Sequence, residues 1–250
     1  MKIGGRSQGD PRLAPALAAA AQAGSDAVCV IHGGGDEVSA VQRRLGLEPL
    51  FVGGRRVTST EDLEVVRMVL SGTINKRLVA SLLGEGVRAV GISGEDAMLI
   101  TAHATDATTM GRVGGELTVD PAIVLQLLAG GYVPVISPLA RDADDRAGSG
   151  LNVNGDDAAA ALAVALEADE LLLVADVPGV LDGASLISSL GVERAGSLIA
   201  SGIAAGGMAA KLEAAVTALA GGVAIVRIVG LDGIGDLTAG TRIVLSPSPV

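Results

Sequence analysis

Apolar and polar positions fall into two alternating kinds of segment along the whole chain. Short β-branched runs stand at residues 1–4, 27–32, 88–93, 133–137, 170–175, 224–229 and 241–245. Between them lie alanine- or leucine-rich windows of helical spacing at 13–23, 37–45, 61–83, 121–129, 156–166, 193–201 and 208–220. This alternation predicts a parallel sheet with crossover helices, so the class is α/β. Several boundaries carry local chemistry. Thr58 and Glu61 have the spacing of a capping box, Asp120-Pro121 offers an N-cap with proline at the first helical position, and Gly130-Gly131 suits the exit of that helix. From 93 to 120 the pattern loosens into Thr, Ala and Gly with short apolar pairs, which predicts hairpins or a flap at the strand ends. The polar, breaker-rich run 141–150 marks the best internal boundary, between two lobes.

Composition narrows the partners. Of the 250 residues, 49% are hydrophobic, enough to bury one large core or two lobes, and only 1% are aromatic, Tyr132 and Phe51. Packing therefore falls to Ala, Val, Leu and Ile, and no ligand is expected to be held by stacked aromatics. Eighteen basic against 28 acidic side chains give a net charge of −10, which argues against a nucleic acid or an anionic membrane as partner. Local Lys and Arg must then recruit any anionic substrate. The one cysteine, Cys29, excludes an intrachain disulfide and reads as a small buried hydrophobe. The first residues have no apolar signal core, and the longest apolar stretches, such as 158–166 and 171–175, fall far short of the roughly 20 residues of a membrane helix. A cytoplasmic protein is expected.

Candidate chemistry collects at strand-to-helix junctions. His32-Gly33-Gly34-Gly35 follows an apolar strand and precedes Asp36 and a helix, so three backbone amides can approach a ligand with no Cβ in the way, beside a helix start that favours anions. A plain strand-to-helix turn is the alternative. Lys2-Ile3-Gly4-Gly5 repeats the arrangement at the first strand, where Lys2 read alone is a solvated lysine. Lys211 lies beside the apolar stripe of its helix (Met208, Leu212, Ala215, Val216, Leu219) and in the first turns, where the macrodipole disfavours a cation. Such a lysine is either held by an anion or snorkels to solvent. Gly206-Gly207 opens the start of that helix to a ligand. Four Asn or Asp side chains from Asn152 to Asp157 exceed what one cap needs, Asn154 or Asp156 being the cap, so some of them are assigned to a ligand or ion. Asp176-Val177-Pro178-Gly179-Val180 leaves an apolar strand where open α/β sheets bind ligands, or forms a simple Pro-Gly turn. In Gly53-Gly54-Arg55-Arg56-Val57-Thr58 an arginine fork matches a carboxylate, or the pair is a solvated basic loop.

In order and spacing these segments, together with Gly72-Thr73-Ile74-Asn75-Lys76 and Gly206-Gly207-Met208-Ala209-Ala210-Lys211, resemble the amino acid kinase family over nearly the whole chain. Within it they resemble the members that phosphorylate the side-chain carboxylate of N-acetyl-L-glutamate in L-arginine biosynthesis. The resemblance implies a three-layer α/β/α sandwich with a mainly parallel central sheet. Residues 1–150 would form an N-terminal lobe for acetylglutamate binding and dimerisation, and 151–250 a C-terminal lobe for ATP. It implies that Lys2 and Lys211 stabilise the transferring phosphoryl group while Asp156 orients both. Gly33 and Gly34 would bind acetylglutamate and phosphoryl oxygens, with Arg56 and Asn152 on the α-carboxylate. ATP would meet Gly4, Gly5, the stretch Asp176, Val177, Pro178, Gly179, Val180 and Leu181, and Ile203, Ala204 and Ala205. It would enter with Mg²⁺ held by phosphates and water, with no protein metal ligand and no tightly bound cofactor.

Phosphoryl transfer to a carboxylate needs positioning and charge neutralisation more than a general base, and two lysines with glycine amides supply that. The truncated first strand, the flap at 94–115 and the wide use of alanine depart from the family pattern. A homodimer is expected. With Lys2 as second residue, no chain is left for the extra helix that arginine-inhibited members carry ahead of the first strand, so inhibition by L-arginine is not expected. Two other readings compete. One is a related kinase for carrier-protein-bound aminoadipate or glutamate in lysine biosynthesis, for which this acidic chain offers no basic docking surface. The other is a non-catalytic nucleotide- or metabolite-binding member, disfavoured by the presence of Lys2, Lys211 and Asp156 together.

Overall fold

The computed structural model describes residues 1–23, 27–145, 147 and 149–245. Its first half runs β1 (Lys2–Ile3), a 3₁₀ turn (Arg6–Gly9), α1 (Leu13–Gln22), β2 (Val30–His32), α2 (Gly35–Arg44), β3 (Phe51–Val52), β4 (Arg55–Arg56) and α3 (Thr60–Arg67). There follow a π-helical segment (Met68–Ile74), α4 (Asn75–Gly84), β5 (Ala89–Ser93), β6 (Ile100–Ala104), β7 (Gly114–Val119), α5 (Ala122–Ala129), β8 (Val133–Ser137) and β9 (Leu139–Asp142). The remainder is β10 (Gly150–Asn152), α6 (Gly155–Ala165), β11 (Glu170–Val174), β12 (Leu181–Asp182), β13 (Ser185–Leu186), β14 (Ser189–Gly191), α7 (Val192–Ala200), α8 (Gly207–Ala220), β15 (Ile225–Val229) and β16 (Thr241–Val244).

The near-continuous apolar runs become strands covered on both faces, as a parallel sheet demands. Eight strands take the order β14-β16-β15-β11-β1-β2-β8-β5. From β15 to β5 all neighbours are parallel, while β16 opposes β15 and carries β14 parallel to itself. Alternation along β11 shows the layering: Leu171 and Leu173 enter a core with α5, α6, α7 and α8, and Leu172 and Val174 enter a second core with α1 and α4. The result is helix, sheet, helix, as expected. Alanines substitute for the missing aromatics by letting elements approach closely: α6 packs against α8, and Ala159, Ala160 and Ala163 of α6 and Ala214, Ala215 and Ala218 of α8 are all buried in the larger core. Cys29 is partly buried against the larger core.

A smaller mixed sheet, β10-β9-β6-β7, occupies the loosely patterned region: β6 and β9 run parallel at its centre, and the outer pairs are antiparallel, including the anticipated hairpin of β6 and β7. Within the breaker-rich run, Gly150 pairs with Arg141, and positions 146 and 148 lie outside the described residues. The central sheet runs unbroken across the 150/151 division, because β1 pairs with β2 on one side and β11 on the other. Among the described residues no helix is long and apolar enough to cross a membrane.

Two local expectations need correcting. The helix expected over 61–83 runs without interruption from Thr60 to Gly84 but is not uniform, being π-helical from Met68 to Ile74, because its apolar stripe changes partner: Leu70 and Ile74 face a third cluster with α2 and α3, whereas Leu78 and Leu82 face the α1 side of the sheet. A uniform 3.6-residue period cannot serve both, and the π-helical turn supplies the change of phase. The capping box is one residue later than expected. Ser59 accepts from Asp62 N at 3.0 Å and Asp62 reaches back to Ser59 N at 3.0 Å, since Thr58 is committed to a β-bridge with Gly111. Asp120 still satisfies the first turn of α5, through Ala122 N at 3.0 Å, with Pro121 just ahead of the helix.

Leu173 is completely buried at the centre of the sheet. Leu173→Ala is expected to lower unfolding free energy by about 2–5 kcal/mol, through lost transfer energy and the cavity left behind. Urea unfolding followed by circular dichroism measures it, and a loss below about 1 kcal/mol would contradict the packing described.

Candidate functional site

Strands β1, β2 and β11 lie side by side and end together, and the chain leaves them through Gly4-Gly5, Gly33-Gly34 and Asp176. This is the carboxyl-terminal edge where open α/β sheets leave a crevice. Here it is a cavity of about 640 Å³, whose lining includes Lys2, Gly5, Gly34, Arg56, Asn152, Asp156 and Lys211. Its roof is a close contact of two glycine turns: a Cβ on Gly5 would lie 3.2 Å from Gly34 N, and one on Gly33 would lie 3.3 Å from Gly5 N. Gly34 has φ +152°, and a side chain there would run into Ile74 Cδ1 at 2.2 Å. Only glycine is compatible with that position. Neither the Gly5 nor the Gly34 amide donates a hydrogen bond within the described residues, so both donors face the cavity without a protein acceptor.

The floor is cationic. Lys2, on β1, places Nζ 2.9 Å from Asp156 Oδ1 and 3.0 Å from Oδ2, and Lys211, on α8, places Nζ 3.3 Å from Oδ1. All three residues are at most 7% exposed, which closes the solvated and snorkelling alternatives. Asp156 stands in the first turn of α6, where the helix dipole favours an anion, and Asn154 caps that turn by accepting from Asp156 N at 2.7 Å and Asp157 N at 3.3 Å. Burial brings the Lys2 ammonium down to about 8 against the pull of Asp156, and Lys211 adds to the lowering. Two ammonium groups on one carboxylate leave an uncompensated positive charge out of water, a cost that a bound anion removes.

One wall is built for a carboxylate. Arg56 Nη2 donates to Gly35 O at 2.7 Å and Ser39 Oγ at 2.8 Å, Nη1 donates to Gln42, and the guanidinium lies over the Phe51 ring at 4.8 Å. The guanidinium is thus fixed in place beside the glycine turn with N–H donors to spare. Burial lowers its pKa, with Asp62 opposing. Its neighbour Arg55 also borders the cavity but pairs with Asp157 at 2.8 Å. Asn152 enters the lining with Nδ2 donating to Thr58 Oγ1 at 3.0 Å.

The second lobe is less uniform. Gly4, Asp176, Val177 and Ala205 join the lining, and Asp176 receives Arg6 Nη1 at 3.1 Å. Val180 and Ala204 are buried in the large core, and Pro178, Gly179, Leu181 and Ile203 stand outside the lining. Gly179 is pressed against Thr241, and Ile203 is 67% exposed. Sequence reasoning missed Arg6, Phe51 and Gln42, whose contacts arise only when the β3–β4 hairpin and the turn after β1 fold over α2. Among the described residues no group of three or more His, Cys, Asp or Glu side chains converges on a metal site.

Residues 1–230 match the sequence profile of the Amino acid kinase family. The chain is 42% identical over 244 residues to an acetylglutamate kinase of Chloroflexus aurantiacus, covering 97% of this chain and 94% of that protein. It is 45% identical over 215 residues to an acetylglutamate kinase of Methanopyrus kandleri, covering 82% and 86%. Among solved structures, smu.665 from Streptococcus mutans UA159 superposes with a TM-score of 0.86 at 28% identity, covering 98% of this chain and 97% of that one.

Because Asp156 holds the Lys2 proton in place, Asp156→Asn is expected to move the Lys2 titration midpoint below about 8. Lysine-selective NMR over pH 6–11 reads the midpoint directly. An unchanged or higher value would mean that the two lysines do not share this carboxylate.

Proposed function

The chain belongs to the amino acid kinase family, and we propose that its cavity is the place where ATP and N-acetyl-L-glutamate react. The enzyme is an acetylglutamate kinase: it transfers the γ-phosphoryl group of ATP to the side-chain carboxylate of N-acetyl-L-glutamate, in arginine biosynthesis. A carboxylate oxygen forms the new bond to phosphorus, the bond to the β-phosphate oxygen breaks, and N-acetyl-L-glutamyl 5-phosphate and ADP leave. The acceptor is ionised at neutral pH, so no proton need be removed and no general base is required.

The observation that carries this reading is the pairing of two buried lysines on Asp156 with two glycine amides across the same cavity that have no acceptor among the described residues. Lys2 and Lys211 neutralise charge on the transferring group from below while Gly5 and Gly34 donate from above. Asp156 keeps the ammonium groups from separating before substrate arrives, acting as a positioning residue for both. Arg56 and Asn152 take the α-carboxylate of the acceptor, with Gly33 and Gly34 beside the reacting end. Gly4, Asp176, Val177 and Ala205 border the nucleotide, and Pro178, Gly179, Val180, Leu181, Ile203 and Ala204 shape its outer seat. ATP enters as its Mg²⁺ complex, the ion carried on phosphates and water, in keeping with the small number of acidic side chains in the lining. Cytoplasmic location and a homodimeric assembly belong to the same reading.

ADP release by purified protein with ATP, Mg²⁺ and a panel of N-acetylglutamate, glutamate, N-acetylaspartate, aspartate, UMP and carbamate tests the reading, with turnover expected on N-acetylglutamate. Lys2→Ala and Lys211→Ala should each lower kcat about 10²- to 10³-fold with unchanged circular dichroism, as removal of a preorganised transition-state donor does. Near-normal turnover in either variant would remove that lysine from the chemistry. Arg56→Ala should raise KM for N-acetylglutamate roughly 10- to 100-fold and KM for ATP less than about twofold, since a charged hydrogen bond to the acceptor is lost. Equal changes in both constants would break the carboxylate assignment.

A further inference from the structure

One motif and three polar side chains are not used by this chemistry: the Gly72-Thr73-Ile74-Asn75-Lys76 segment, and His32, Gln8 and Asn75. They converge on one peptide group. Gly33 O accepts from Gln8 Nε2 at 2.7 Å and from His32 Nδ1 at 2.9 Å. Since Nδ1 donates, Nε2 is the free acceptor of a neutral ring, and it is met by Asn75 Nδ2 at 3.2 Å. Asn75 has its own orientation fixed, with Oδ1 accepting from Lys76 Nζ at 3.1 Å and Nδ2 donating to Val135 O at 2.8 Å. His32 and Asn75 are completely buried.

A trans peptide is planar, with its C=O and N–H pointing in opposite directions. Anchoring Gly33 O on the side away from the cavity therefore aims Gly34 N–H toward Gly5 and the cavity, where it has no acceptor among the described residues. We propose that His32 and Gln8 are positioning residues that set the orientation of the Gly33–Gly34 peptide and so make Gly34 N–H an oxyanion donor for the transferring phosphoryl group. The inference rests on the proposed reaction for the identity of the anion, and on the geometry alone for the orientation.

Two further features support it. Gln8 Oε1 is buried without any hydrogen-bond partner among the described residues, so this side chain is kept for the bond made by its Nε2 at a cost to stability. The π-helical turn delivers Ile74 against Gly34 and Asn75 against His32 in consecutive positions, backing the peptide from behind. Burial keeps His32 neutral by bringing it down to about 4, which preserves the tautomer through the physiological range.

The decisive variant is Gln8→Leu, because Gln8 lies outside the lining of the cavity and its replacement also removes the unpaired Oε1. A structural role predicts a lower Tm. The positioning role predicts an unchanged or higher Tm, kcat reduced about tenfold, and both KM values within twofold of the parent. Gln8→Glu supplies a second reading: burial beside the Gly33 carbonyl raises the introduced carboxyl above its ordinary value of about 4.3, and only its protonated form can donate to Gly33 O, so kcat relative to the parent should fall as pH rises from 5.5 to 8.5. A binding measurement separates this inference from the assigned reaction. In ¹⁵N-labelled parent protein, inorganic phosphate should shift the Gly34 amide resonance, and in Gln8→Leu that shift should fall by at least half, whichever acceptor the enzyme uses. A Gly34 response equal in the two proteins, or kcat in Gln8→Leu within twofold of the parent, would overturn the proposal. Failure of the parent to phosphorylate N-acetylglutamate would instead count against the assigned substrate.

Discussion

Asp156 is one carboxylate shared between two ammonium groups drawn from opposite ends of the chain. Lys2 arrives on the first residue of the central strand β1 and Lys211 on the last long helix, and neither would be stable in a cavity floor without a common counter-ion. At an effective dielectric constant of about 20, like charges 4 Å apart repel by about 4 kcal/mol, a sizeable share of the stability of an ordinary domain. The sheet order follows the same requirement. β1 must sit between β2 and β11 for Lys2 to lie under both glycine turns, and α6 must begin there for its dipole to favour the aspartate.

The α/β class was legible because strand and helix periodicities are local, and the runs at 133–137 and 170–175 each mark one buried strand. Short edge elements such as β3, β4, β12, β13 and β14 have two or three residues each and therefore no period to detect. The π-helical stretch between Arg67 and Asn75 was hidden for a different reason: the whole run is helical, and only the two different surfaces its halves cover require a change of phase. Ser59 and Thr58 are equivalent cap residues on paper, and a bridge to Gly111, 53 positions away in sequence, decides between them.

For the site, local reading offered pairs of alternatives that folding resolves through burial. Lys211 beside an apolar stripe is compatible with a snorkelling side chain until the helix is placed over Asp156. Asn154 and Asp156 compete as caps until Asn154 is seen to accept both amides, leaving the aspartate free for the lysines. Arg55 and Arg56 are indistinguishable as neighbours, yet strand alternation sends one toward Asp157 and the other toward α2. What no local pattern could reveal is convergence across the chain, of which the Gly33 carbonyl with Gln8 and His32 is the smallest instance.

The alanine seam between α6 and α8 has a consequence beyond filling space. These helices carry Asp156 and Lys211, so the seam works as a spacer that sets how far one charge stands from the other. A spacer made of methyl groups is already near its minimum thickness. Trimming it further removes little, but thickening it by a single isopropyl group would push the charged ends apart like a shim in a hinge. This inner contact therefore has little room for larger side chains, and the poverty in large side chains becomes part of how the charges are kept in register.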